Sequence, residues 1–118
     1  MSIRIKRAYE DAAKNDGYRV LVDRIWPRGV SKDEAQLDDW VKALAPSTEL
    51  RKWFGHDPDR WDEFRKRYRK ELKARDEAQQ ALDDLRQRAR KGRVTLVFAA
   101  KDSEHSNAAF LRELLQDG

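Results

Sequence analysis

The chain has 118 residues, 41% charged and 39% hydrophobic, with a formal net charge of +4. Its lack of cysteine excludes disulfides, thiolate metal sites, iron–sulfur clusters and cysteine nucleophiles. No apolar run approaches the roughly 18 residues of a membrane span, and Met1–Glu10 has no apolar leader, so a cytoplasmic protein without a membrane partner is expected. A mean hydropathy of -1.02 would suit a disordered chain. The 4 Trp, 4 Phe and 3 Tyr argue instead for a folded core, and the length fits one domain, residues 1–118.

Ile3 to Ala8 alternates apolar and basic residues, the period-2 pattern of a strand with one wet face. After a polar connection ending at Gly17, Tyr18–Val22 reads as a second strand, apolar enough for a central position. Trp26-Pro27-Arg28-Gly29 is a loop, because Pro27 holds its predecessor extended and Gly29 permits a tight turn. Ser31 and Glu34 form a capping box, and Leu37, Trp40, Val41 and Leu44 at helical spacing predict that the helix runs on to Pro46. Thr48–Phe54 is expected as a short helix closed by Gly55.

Asp57-Pro58 is a helix start, with Asp57 as cap and proline in the first turn. The stripe Trp61, Phe64, Tyr68, Leu72 follows, and a second stripe runs from Ala78 through Leu82 and Leu85 to Ala89. Lys73–Glu77 lacks an apolar anchor, which predicts a break near Ala74–Asp76, and Gly92 ends the second helix. Val94–Ala100 reads as a strand buried on both faces. A polar loop, Lys101–Asn107, then leads into a last helix carrying Ala108, Leu111, Leu114 and Leu115. These elements predict a small α/β fold, Rossmann-like, with a parallel three-stranded sheet covered by about five helices.

Open parallel sheets gather ligands beyond the carboxyl ends of their strands. Two loops qualify, Asp23–Gly29 and Lys101–Asn107. They offer Arg24, Arg28 and Lys101 as permanent cations, His105 as a titratable ring, and the N–H groups of a helix start. This set suits a phosphate or carboxylate. Asp23, Trp26, Asp102 and Asn107 complete the candidate ligand-binding set. Trp26 either walls the ligand or only pins its loop. A purely structural account also exists: Arg24 would pair with Asp23, Lys101 with Asp102, and Ser103 or Ser106 would cap the last helix.

Other chemistry is less well supplied. His56 and His105, with Asp57, Asp102 and Glu104, are donor types for a two-histidine, one-carboxylate site. Neither histidine sits in an H-x-x-x-H pattern, so no metal and no cofactor is expected. Asp102 or His105 as base beside Ser103 or Ser106 would be a hydrolytic pair. The chain has no G-x-S-x-G, P-loop or G-x-G-x-x-G, and the sequence leaves open whether the domain is an enzyme. The positive charge is local: residues 59–93 carry net +5 and the remainder net -1. Within it, Arg65–Arg75 holds seven cations and one carboxylate. Arg65, Arg69 and Lys70 could contact nucleic acid there, and a regulatory protein-interaction module is the related alternative. The competing account is a solvated helix face.

The stretch Gly17-Tyr18-Arg19-Val20-Leu21-Val22-Asp23-Arg24-Ile25-Trp26-Pro27-Arg28-Gly29 closely resembles the signature of the YeaO-like family, bacterial proteins within a larger domain-of-unknown-function superfamily. Pro46–Lys52, Phe64-Arg65-x-x-Tyr68 and Val94–Lys101 resemble it too, so the likeness covers nearly the whole chain. It implies a compact α/β fold and carries no established activity. Some wider relatives have a Cys-His-Arg-type segment at the start of the helix after the last strand. Here the matching place is Ser106-Asn107-Ala108, without cysteine, which removes thiol chemistry. The expected function is binding of a small anionic ligand at the two loops.

Overall fold

The computed structural model describes residues 2–117. Four strands, β1 (Ser2–Arg7), β2 (Tyr18–Leu21), β3 (Asp39–Trp40) and β4 (Arg93–Phe98), form one parallel sheet in the order β1-β4-β2-β3. The helices are α1 (Lys32–Ala35), α2 (Thr48–Phe54), α3 (Trp61–Lys73), α4 (Asp76–Lys91) and α5 (Asn107–Asp117). The α/β class, the parallel sheet and the five helices agree with the sequence reading.

The sheet has four strands, not the expected three, and the difference lies in 31–46. The Ser31–Glu34 capping box forms, with Ser31 Oγ accepting from Glu34 N at 3.1 Å. It starts only one helical turn. Gln36 adopts φ 45, and the chain turns out to run beside β2. Asp38 N donates to Arg19 O at 2.8 Å and Val41 N to Leu21 O at 3.0 Å. The free edge of β2 thus captures backbone groups that a helix would have satisfied internally. Leu37 and Trp40 are apolar because they cover the sheet, and their helical spacing is a coincidence.

Most other boundaries follow local chemistry. Gly55 closes α2 at φ 55, with its N–H on Arg51 O at 3.1 Å. Asp57 accepts from Asp59 N at 3.0 Å and starts a 3-10 turn, Pro58–Arg60, that runs straight into α3. The break between α3 and α4 falls at Ala74–Arg75, as expected. Gly92 ends α4 in extended backbone, φ -171, so it joins helix to strand without a left-handed cap. β4 stops at Phe98, two residues short of the expected Ala100.

The pairings Ile5↔Leu96 and Val20↔Leu96 set the two faces of the sheet. Ile3, Val20, Val22, Val94, Leu96 and Phe98 face the side on which Phe64, Tyr68, Leu82, Leu85 and Phe110 of the helices are buried. Each such side chain removed from water contributes roughly 1.5–3 kcal/mol. The other face has no large helix. Ala8, Leu21 and Val97 are covered there by Trp26, Leu37 and Trp40.

The rest of that face is closed by a buried carboxylate. Asp16 has no exposed side-chain surface. It accepts from Arg4 and Lys6 of β1 at 3.2 Å, from Arg19 of β2 at 2.7 Å and from Ala13 N at 3.0 Å. Its own carbonyl accepts from Thr95 Oγ1 of β4 at 2.7 Å. Arg19 passes the connection on to Ala35 O, at 2.8 and 3.1 Å. Gly17 makes this approach feasible: it sits at φ 68, and a Cβ would meet Arg93 O at 2.2 Å.

Burial pushes the Asp16 carboxyl up, but the Ala13 N–H and the Lys6 and Arg19 cations outweigh it and hold the pKa at about 2. The folded value lies below the ordinary 3.8. This group therefore stabilises the fold fully above about pH 4, by up to about 2 kcal/mol, and that contribution disappears as pH falls toward 2. Asp16→Asn leaves Arg19 buried without its counter-charge and should cost about 3 kcal/mol in urea denaturation at neutral pH. It should also flatten the loss of stability below pH 4. A cost under about 0.5 kcal/mol, the scale of an ordinary surface substitution, would mean that the cations do not depend on Asp16.

Candidate functional site

A cleft of about 660 Å³ opens beyond the carboxyl ends of β2 and β4. All eight residues singled out from the two loops line it: Asp23, Arg24, Trp26, Arg28, Lys101, Asp102, His105 and Asn107. The two loops therefore meet in space, the condition that the sequence left open.

Their meeting is built by a few polar contacts. Asp23 Oδ2 accepts from Ala99 N at 2.9 Å, tying the end of β2 to the residue after β4. Asn107, first residue of α5, donates through Nδ2 to Asp23 Oδ1 at 3.0 Å and to Val22 O at 3.1 Å. From β1, Arg7 donates to Ala99 O at 3.2 Å and Ala100 O at 2.9 Å, fixing the backbone before Lys101. Trp26 both lines the cleft and pins its loop: Nε1 donates to Val30 O at 2.6 Å, and the ring meets Trp40 edge-on at 5.5 Å. Burial raises the Asp23 carboxyl above the ordinary value, against the opposing pull of Asn107, Ala99 N–H and the Arg51 charge.

Asp102 works within its own loop. Oδ1 accepts from Glu104 N at 3.1 Å and His105 N at 3.2 Å, and Oδ2 meets His105 Nδ1 at 2.8 Å. The His105 hydrogen bond is the main reason the Asp102 carboxyl lies below its ordinary value. The ring of His105 stands edge-on to Trp61 at 5.4 Å. Of the two candidate serines, Ser106 lines the cleft, and its hydroxyl is committed. It donates to Ser103 O at 2.9 Å and accepts from Ala109 N at 3.1 Å as the cap of α5. A serine nucleophile activated by His105 is therefore not assembled at Ser106.

The cations are differently placed. Arg24, Arg28 and Lys101 are exposed at the cleft and make no ion pair or side-chain hydrogen bond among the described residues. The pairs of the purely structural account, Arg24–Asp23 and Lys101–Asp102, do not form: Asp23 holds Asn107 and Ala99, and Asp102 holds His105. Arg51 of α2 joins them on the lining, equally unpaired among the described residues, and sequence reasoning missed it. Its neighbours Leu50 and Phe54 are the core side of α2, and nothing local reveals that the adjacent turn faces the β2 loop. His56, at φ 57, also lines the cleft with Phe54, Phe64 and Pro46. Among the described residues no three His, Asp or Glu side chains converge as metal ligands.

The basic stretch on α3 is partly committed. Arg65 bonds Glu113 at 2.9 Å and Asp62 at 3.1 Å, Arg67 bonds Glu63 at 2.9 Å, and Arg75 holds Ala43 O, Ala45 O and Glu71. Arg69 lies over the Phe110 ring, 5.4 Å from its centre, and Lys70 is exposed. No described helix is long and apolar enough to cross a membrane.

Residues 2–118 match the family described as the inactive DUF488-N3 subclade, and the chain belongs to that family. It is 48% identical over 113 residues to the uncharacterized protein Rv3073c of Mycobacterium tuberculosis, covering 96% of this chain and 92% of the relative. It is 40% identical to the uncharacterized protein YeaO of Escherichia coli over 116 residues, 98% of each chain. The YeaO-like resemblance carried by the Val22–Gly29 block is thereby confirmed. No solved structure matches.

Asn107→Leu should strip partners from the Val22 carbonyl and the Asp23 carboxylate, lowering stability by about 1–3 kcal/mol in urea denaturation. The Asp23 carboxyl should titrate higher still in this variant, visible by carboxyl-carbon NMR. An unchanged midpoint and titration would mean that Asn107 does not join the two loops.

Proposed function

We propose that this domain binds a small anion, a phosphate- or carboxylate-bearing molecule, in the cleft between the β2 and β4 loops. The observation that carries the reading is the set of four unpaired cations, Arg24, Arg28, Arg51 and Lys101, around one concavity. Other cations, such as Lys66, Lys70, Lys73 and Arg90, also lack ion pairs among the described residues, so it is the gathering of these four at one cleft that matters. The two carboxylates on the lining, Asp23 and Asp102, are already engaged by Asn107, Ala99 N and His105, and an anionic ligand relieves the repulsion among the four cations. Guanidinium forks supply two-point contact to a planar carboxylate or a phosphate, and Lys101 adds a point charge. Asp102 and His105 contribute a carboxylate and an imidazole paired at 2.8 Å. The location also fits the behaviour of Rossmann-like sheets, whose ligands sit beyond the carboxyl edge.

Binding without turnover is the form of the proposal we favour. The serine hydroxyl at the cleft is committed to capping α5, and the family's description contains the word inactive. Nucleic-acid contact through Arg65, Arg69 and Lys70 draws less support, since Arg65 is engaged by Glu113 and Asp62.

The test is a thermal-shift titration with inorganic phosphate, sulfate and small dicarboxylates. An anion at about 100 times its dissociation constant adds about 2.7 kcal/mol, a shift of several degrees for a domain of this size. Arg24→Ala and Lys101→Ala should abolish the shift while changing the unliganded stability by less than about 0.5 kcal/mol, since both side chains are exposed and unpaired. Shifts that persist in both variants would overturn the reading.

A further inference from the structure

The cleft has a direction, and that direction narrows the ligand. Its cations, Arg24, Arg28, Arg51 and Lys101, are all exposed, whereas Asp23 and Asn107 are partly buried. Asp23 uses each carboxylate oxygen once, on Asn107 and on Ala99 N. Each oxygen therefore keeps acceptor capacity, as does the amide oxygen of Asn107, whose two N–H groups are taken by Val22 O and Asp23. The inner end of the site thus accepts hydrogen bonds while the outer rim attracts negative charge. A simple anion satisfies only the rim.

The walls add a second requirement. They are mostly apolar, including Trp26, Pro46, Phe54 and Phe64. At the lip stands Ile25, 57% exposed and one of two large hydrophobic side chains left open among the described residues. Its neighbour Trp26 is anchored to Val30 O and Pro27 is buried, while Ile25 stays largely open. An apolar side chain presented beside an apolar cleft extends the wall over whatever enters it. The cleft's 660 Å³ also exceeds what an inorganic phosphate fills, and lies within the range of sites for drug-sized ligands.

We infer that the ligand is a flat ring carrying hydrogen-bond donors, joined to a phosphate or carboxylate: a nucleoside monophosphate is the representative. Its ring lies within the apolar walls with N–H or O–H groups toward Asp23 and Asn107, and its anionic end stays at the rim. This inference rests on the anion-binding reading and adds the ring and the orientation.

The test uses isothermal titration calorimetry with the intact protein and four kinds of probe: the four common nucleoside monophosphates, the matching nucleosides, ribose 5-phosphate and inorganic phosphate. At least one monophosphate should bind about tenfold tighter than ribose 5-phosphate, the gain expected of one buried ring. Ile25→Ser, at an exposed position, should weaken that monophosphate by about fivefold and leave ribose 5-phosphate unchanged. Ribose 5-phosphate binding as tightly as every monophosphate would overturn the ring and leave the anion reading standing. Nucleosides binding as tightly as their monophosphates would overturn the anion reading and retain the ring. Silence from every probe would overturn both.

Discussion

The Asp16 carboxylate is the constraint on which the sheet depends. One face of a parallel sheet is covered by helices, and a parallel sheet normally needs the other face covered too. Among the described residues no second layer of long helices covers that face, and charge is placed there. Arg4 and Lys6 from β1 and Arg19 from β2 converge on one buried acid, whose backbone carbonyl receives Thr95 from β4. The cations from β1 and β2 would repel one another without Asp16. With it, the three longer strands are cross-linked at their amino-terminal half. The single turn α1 joins the same network through Ala35 O.

The opposite end of the sheet is organised differently. There the strands stop, and their connections are tied by Asp23, Asn107 and Arg7 across the β2 and β4 loops. Each of these contacts uses a buried or half-buried polar group to hold backbone, so the loops are fixed without using the cations beside them. Arg24, Arg28, Arg51 and Lys101 are left at the rim of a preformed concavity. Carboxylates such as Glu71, Glu113, Asp62 and Asp84 are engaged elsewhere on the surface. The charge near neutrality of the whole chain thus conceals a local excess at this cleft.

The chain belongs to the family described as the inactive DUF488-N3 subclade. The catalytic vocabulary of the cleft is thin. Asp102 and His105 form a pair, but the hydroxyl of Ser106, next to His105, caps α5. Burial raises the Asp23 carboxyl above its ordinary value, and both of its oxygens hold structure in place.

Local chemistry was enough to locate most of the elements. Strand alternation at Ile3–Arg7, the Ser31–Glu34 box, Gly55, Asp57-Pro58 and the gap between the two long stripes all act over a few residues, and physical rules of that range apply before the chain folds. The eight residues that line the cleft from the two loops were also legible as residue types, because strand ends in parallel sheets are where ligands gather. Whether they meet was decided by β4 inserting between β1 and β2, which no local pattern encodes. The same insertion left the edge of β2 open to Asp39–Trp40 and overrode a helical pattern running to Leu44. Arg51 reached the cleft only through the docking of α2, and Asp16 found Arg4, Lys6 and Arg19 only once three strands lay side by side. The sequence by itself determined what each segment prefers and which charges it carries. Tertiary structure decided which of those charges would be neutralised and which left facing a cavity, because ion pairing depends on distances of a few ångströms between segments far apart in the chain.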